Sequence, residues 1–460
     1  MFHPFNNDEN KMKKFLNISL LTLVALTALS LSSCKNEVDN IFDEDAITRL
    51  DKAKQEYTEI LTSNGGKWQL EYYANDEEPG YIYLMTFSKD GSVVISGHNK
   101  WINYIKTGSM NSSGFGSEVS MWEVIADNGP VLSLNTYNKY FHLFADPYDI
   151  PSSGSASSDS DVDESGYGHE GDYEFDIMKY TGDTLYVTGK KYNRNMIMTR
   201  VDGSVDDEVY MNEVVAMADS FFNAKVPQVY INLPNGVRWI VKNGATSILK
   251  MFREDADEIS TAETHNIIIT HDGLSFKEPI TLDGYVIQNF IRQADGSLLC
   301  RDDHETTMTA DPLGTIFTNK SLTWRADFKD VGGKFADLVT AIGEELKTYN
   351  KSTLQYAQIA YNATESIYEL SFNIKKGSVK YNPTYYLTVT SSDDEHISFT
   401  AAAEGDRYGE LYSEKCPSVR AFVDAMAAKF DLSANSLLSP VNMKTSESSN
   451  HANYVIWNLQ

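Results

Sequence analysis

"GKWQLEYYAND" (66–76) and "YLMTFSKDGSV" (83–93) decide how this chain folds. Both are short, aromatic and apolar-rich, and Lys89-Asp90-Gly91 in the second is a hairpin turn signal. The same grammar continues in "SVVISGH" (92–98), "VSMWEVIA" (119–126), "VLSLNT" (131–136), "KYFHLF" (139–144), "YEFDIMKY" (173–180), "TLYVTGK" (184–190) and "MIMTRV" (196–201). Asn128-Gly129 and Gly182-Asp183 supply further turns. Many short strands joined by tight turns predict an antiparallel meander, and such a meander escapes exposed edges by closing into a barrel.

The Gly66-Lys67-Trp68 start resembles the Gly-x-Trp opening of lipocalin-like domains, so residues 43–203 are expected to form a helix plus a lipocalin-like β-barrel. The helix is predicted after Asp43 as its N-cap, with Ile47, Leu50, Ala53, Tyr57, Ile60 and Leu61 at helical spacing, and it ends at Asn64-Gly65-Gly66. Beyond Gly203 helical periodicity returns in 206–224, 331–346 and 417–430, interspersed with strand-like runs such as "VRWIVK", "HNIIIT", "YVIQNF" and "YVIWNL". Residues 204–460 therefore read as an α+β region of helices and antiparallel strands, with a further break near Lys329 as an alternative. The fold class is mainly β with α+β.

Upstream, Met12-Lys13-Lys14 leads into the apolar run Phe15–Leu31 and then into Leu31-Ser32-Ser33-Cys34. A basic start, an apolar core too short to span a membrane and small residues before a cysteine read as a signal peptide over 1–33, with Met12 as its start. Leu31-Ser32-Ser33-Cys34 resembles the lipobox of bacterial lipoproteins. Cys34 is then the lipidation site and 34–42 a short tether. Two or three acyl chains hold stably at about 0.8 kcal/mol per buried methylene, where one is marginal.

The formal charge is −26. So acidic a chain is repelled by the phosphate backbone, which excludes nucleic acid as a partner. Cys300 and Cys416 are the cysteines left beyond Cys34; one conceivable pair is no disulfide framework, and two separately buried thiols are the simpler reading.

No catalytic signature is legible. His169-Glu170 and His304-Glu305 lack the second histidine one helical turn on that a zinc protease needs, and both read as surface residues. Neither a P-loop nor a nucleophile elbow occurs. The Ser/Gly/Asp-rich segment 151–176 is read as a mobile surface loop; from Asp146 to Asp176 there are ten acidic residues and no Lys or Arg. Within it Asp159, Asp161, Asp163 and Glu170 take positions one, three, five and twelve of a calcium-loop register, though Glu164 stands where that turn wants glycine. They are the weak calcium candidate; otherwise no metal or cofactor is expected. Trp68, Trp239 and Trp457 read as core, and Trp101 and Trp122 as residues near a barrel mouth, where ligands bind in such folds, with packing the preferred role over ligand contact even there.

Taken with the lipobox, "GKWQLEYYAND", "YLMTFSKDGSV", "GPVLSLNTYNKYFHLFADP" (129–147), "GHEGDYEFDIMKYTGDTLYVTGKK" (168–191) and "HDGLSFKEPITLDGY" (271–285) resemble the Bacteroidetes-type outer-membrane lipoproteins of the domain-of-unknown-function 4302 family. The resemblance implies an outer-membrane lipoprotein, on the periplasmic side or the cell surface, often accompanying transporter and capture-lipoprotein pairs. It carries over no catalytic residue. The expected role is a non-catalytic binding or accessory module of the envelope, with a hydrolase of dispersed active site or a structural, adhesive surface protein as alternatives.

Overall fold

The computed structural model describes residues 45–76, 78–151, 168–222, 225, 228–243 and 248–460. The signal peptide, Cys34, the tether and most of the acidic loop, with Asp159, Asp161 and Asp163, lie outside them. Three antiparallel β systems make up the rest.

Helix Ala46–Thr62 comes first, capped by Asp45 rather than Asp43: the Asp45 carboxylate accepts from Thr48 N at 2.7 Å. The helix ends where Asn64, Gly65 and Gly66 all take positive φ. Next comes a nine-stranded sheet with Lys67–Tyr72 as an interior strand, hydrogen-bonded to Tyr81–Phe87 on one side and Asn195–Arg200 on the other. The sheet's two edges are Gly114–Met121 and Glu123–Ala126. Those edges are one residue apart in sequence, so the sheet curls until they meet at the corner Trp122. "VSMWEVIA", expected as one strand, is therefore two. Trp122 anchors the corner, its ring 4.8 Å from Phe87 and its Nε1 donating to Ser88 O at 3.2 Å. "KYFHLF" is not a strand either. It forms a 3-10 turn at His142–Phe144 that delivers Phe141, Leu143 and Phe144 to the core, where Phe141 packs 5.1 Å from Tyr72.

The ring that closes completely by hydrogen bonding is the second system. Eight strands run from Val229–Asn232 to Thr307–Ala310, and the first pairs with the last, Val229 opposite Ala310. Its inside is filled by Ile231, Met251, Ile267, Leu274, Phe276, Phe290 and Met308. A closed barrel thus lies in the segment read from sequence as α+β. The third system has ten strands, and the short strand Trp324–Ala326 bonds both to Thr353–Asn362 and to Tyr454–Leu459, carrying the pairing round. Helices Lys334–Asn350, Arg407–Lys415 and Pro417–Ala425 pack with it. Lys429–Ala434, whose first residues had read as helix, is a strand. Cys416 sits buried between two of these helices, Cys300 is buried in the barrel, and both thiols are free. Among the described residues no helix is long and apolar enough to cross a membrane.

The buried apolar residues fall into two clusters. One joins the first sheet and the barrel, and the other begins at Ala310 and fills the third system. Gly273 shows how tightly the barrel is closed: a Cβ there would lie 1.9 Å from Phe290 O on the neighbouring strand. Gly273→Ala is expected to force those strands apart and lower stability by about 1–3 kcal/mol or more, read as a fall in thermal midpoint. An unchanged midpoint would show that the ladder gives way freely at this point.

Candidate functional site

Strand Lys67–Tyr72 alternates, and its two faces meet different surroundings. Trp68, Leu70 and Tyr72 enter the aromatic core of the first sheet. Lys67, Gln69 and Glu71 take the other face, and all three are nevertheless buried. Helix Asp207–Phe222 covers one end of that face. Lys67 Nζ meets Asp207 Oδ1 at 2.7 Å, and Tyr210 donates to Gln69 Oε1 at 2.6 Å. The barrel approaches the other end through the turn 270–273. There His271 stacks on Tyr210 with ring centroids 4.3 Å apart, and Asp272 receives Arg301 at 3.1 Å.

Between sheet, helix and barrel lies a cleft of about 580 Å³. Its walls include Gln69, Glu71, Tyr186, Tyr210, Gln288 and Arg301. Most of its charged and polar groups are engaged. Arg200 donates to Ser63 O at 2.9 Å and lies 4.2 Å over the Trp68 ring, and Asp202 accepts from Ser204. Glu71 differs. The residue is only 7% exposed, its carboxyl takes part in no hydrogen bond or ion pair among the described residues, and its oxygens open onto the cleft. Burial pushes its pKa up to about 7; Arg301 pulls it down and Asp272 pushes it further up. A carboxyl titrating near neutrality in a polar cleft can accept a ligand's donor as an anion, or exchange a proton.

The residues singled out from sequence fall elsewhere. His169 is not a surface residue; it is 2% exposed and its Nδ1 contacts Glu78. Glu78 also accepts from Tyr81 at 2.9 Å, Asn75 at 3.1 Å and Trp101 Nε1 at 3.1 Å. Burial raises the Glu78 pKa, but the bonds from His169, Tyr81 and Asn75 outweigh it and hold it below the ordinary value. His169 Nε2 meets Pro151 O at 2.7 Å, which ties together the two flanks of the acidic segment. Glu170, the one calcium candidate among the described residues, is engaged by Arg194 at 2.5 Å. His304 and Glu305 are exposed in a turn. Trp101 and Trp122 are core residues rather than a rim, as are Trp68, Trp239 and Trp457. Glu71 escaped the sequence reading because nothing in "KWQLEYY" announces that a distant helix and a barrel turn cover its second face.

A family model described as "Domain of unknown function (DUF4302)" matches residues 38–294. That range takes in the first sheet, the covering helix and the barrel through Arg292, and of the cleft residues named here only Arg301 lies beyond it. Among curated proteins none matches. Two solved structures align over most of the chain. The beta subunit of DNA polymerase from Streptococcus pyogenes aligns at 10% identity over 91% of this chain and 93% of that one, with a TM-score of 0.13. The C. crescentus beta sliding clamp aligns at 8% identity over the same shares, also with a TM-score of 0.13. Similarity that slight carries no argument about this chain.

Because burial raises the Glu71 pKa from 4.5 to about 7, its carboxyl contributes stability that is complete below pH 4.5 and lost as pH rises through about 7. Glu71→Gln is therefore expected to raise the thermal midpoint at pH 8 and leave it nearly unchanged at pH 4.5. At about 1.4 kcal/mol per pKa unit, the gain at pH 8 has an upper bound of about 3 kcal/mol. Equal midpoints at pH 8 would mean that the ionised carboxyl is solvated or paired.

Proposed function

The chain belongs to the DUF4302 family, and from that premise we propose that it is a lipid-anchored envelope protein acting as a non-catalytic binding module at the outer membrane. The observation that carries the binding role is the cleft between first sheet and barrel, with its buried, donor-free Glu71. Pockets where two structural units meet, lined by a few convergent polar groups and aromatic rings, are where small ligands bind. The anchor rests on the lipobox-like Leu31-Ser32-Ser33-Cys34, and the outer-membrane location and the company of a transporter and capture-lipoprotein pair on the family resemblance. The first sheet is read as lipocalin-like in this proposal, supported by Gly66-Lys67-Trp68 at the start of its first strand and by its antiparallel meander.

A hydrolase is the second reading, favoured by one observation: Glu71 has the pKa of a general acid or base, and Asp272 lies close enough to influence it. Asp272 is half-exposed at the mouth and already bound by Arg301, so the two carboxyls differ in availability.

Two experiments test the proposal. Cys34→Ala is expected to abolish incorporation of a palmitate label and to release the protein from the membrane fraction; a wild type without label ends the anchoring claim. For the cleft, Thr199→Trp places an indole in its wall, with Ile197→Trp as a second variant should the first melt early. Ligands found by calorimetric screening of small polar compounds are expected to bind the wild type and to be lost in both variants. Binding untouched by either indole would move the site elsewhere. Glycoside or peptide turnover that Glu71→Gln removes would favour the hydrolase.

A further inference from the structure

Resting on the cleft as the binding site, we infer that its ligand carries an ammonium group, for which the Glu71 carboxylate is the counter-ion. The geometry supports this from several sides. Glu71 projects from an interior strand of the first sheet into the cleft and is the wall's unpaired, nine-tenths buried acid. The cations nearby are committed, Arg301 to Asp272 and Arg200 to the carbonyls of Ser63 and Ile60. An ionised carboxyl buried without a partner is costly, and a ligand cation removes that cost while a neutral hydroxyl offsets only part of it.

The remaining surfaces agree. Tyr186 and Tyr210 line the same cleft, and although His271 stacks on one face of Tyr210, such rings attract cations and are indifferent to anions. A net charge of −26 raises the local concentration of cations around the molecule and repels anionic ligands. From the barrel, His271, Asp272 and Arg301 line the cleft; from the covering helix, Tyr210; from the first sheet, Gln69 and Tyr186, with Asp202 just beyond its last strand, while the Arg200 guanidinium lies over Trp68 on the sheet's other face. Asp272 adds negative potential at the entrance and Arg301 partly cancels it.

Cation binding then requires the ionised carboxyl, and its apparent affinity scales with the ionised fraction of Glu71. With ionisation centred at about 7, that fraction changes roughly tenfold between pH 6 and pH 8.

The test is calorimetric titration of the full chain with 1,5-diaminopentane, charged throughout this range, and with 1,5-pentanediol as its neutral match. The diamine is expected to bind about tenfold more tightly at pH 8 than at pH 6. Glu71→Gln should weaken it at least tenfold at pH 8 and flatten the pH dependence, while the diol binds more weakly and without pH dependence. A diol that binds as well as the diamine, or diamine binding that Glu71→Gln leaves intact, overturns the ammonium assignment. If ligands then still bind and are lost in Thr199→Trp, the cleft stands as the site of a neutral polar ligand. If no binding responds to Thr199→Trp or Ile197→Trp, the cleft reading falls with it.

Discussion

Strand Lys67–Tyr72 is buried on both faces, and the relation between the first sheet and the barrel follows from that. Six consecutive buried residues in which polar and apolar alternate cannot be met by one hydrophobic core. The apolar set, Trp68, Leu70 and Tyr72, is worth about 1.5–3 kcal/mol per side chain on burial and draws the sheet into its curl. The polar set then needs a second cover that brings hydrogen bonds with it. Helix Asp207–Phe222 supplies them at one end through Asp207 and Tyr210, and the barrel turn completes the enclosure. A one-residue slip of this strand would put Trp68 against Asp207 and Lys67 among the rings of Phe141 and Phe144, so its register is strongly specified.

That double burial marks the limit of what the sequence makes legible. Antiparallel β structure in 66–201 was readable because alternation and turn residues are local signals, and so were the helices near 46–62, 207–222 and 334–350. Local aromatic enrichment misled at "KYFHLF", where Phe141 and Phe144 serve the core from a turn rather than a strand. Trp122 misled in another way, because a corner residue and a strand residue have the same composition around them. The eight-stranded ring at 229–310 was missed as a ring because closure is a pairing between Val229 and Ala310, 81 residues apart, which no window of sequence contains. The cleft was invisible for the same reason. Glu71, Tyr210, His271 and Arg301 come from four separate stretches, and each alone resembles an ordinary surface residue.

His169 illustrates a related failure. Next to Glu170 and beside an acidic segment, it reads as exposed, yet it is held in the core by Glu78 and by the carbonyl of Pro151. Removing the imidazole would leave a buried carboxylate without one of its partners, at a cost of about 1–3 kcal/mol. What matters for the fold is therefore the pairing across ninety residues, not the exposure suggested by neighbours.

Glu71 and Glu78 are the same residue type, seven positions apart, and both are nearly excluded from water. Their acidities move in opposite directions. Glu78 is surrounded by donors from Asn75, Tyr81, Trp101 and His169, so the charged form wins against burial. Glu71 has burial without donors, so the neutral form wins up to about pH 7. The fold is thus able to satisfy a buried carboxylate in this sheet where the carboxylate is part of its own framework. At Glu71 it leaves the acceptor bare and leaves a cleft in front of it. An apolar side chain at that position would cost less, since an unpaired buried acid weakens the folded state. The missing donor is consequently best supplied from outside the chain, and the opening through which it would come is the one lined by Tyr186, Tyr210 and Gln288.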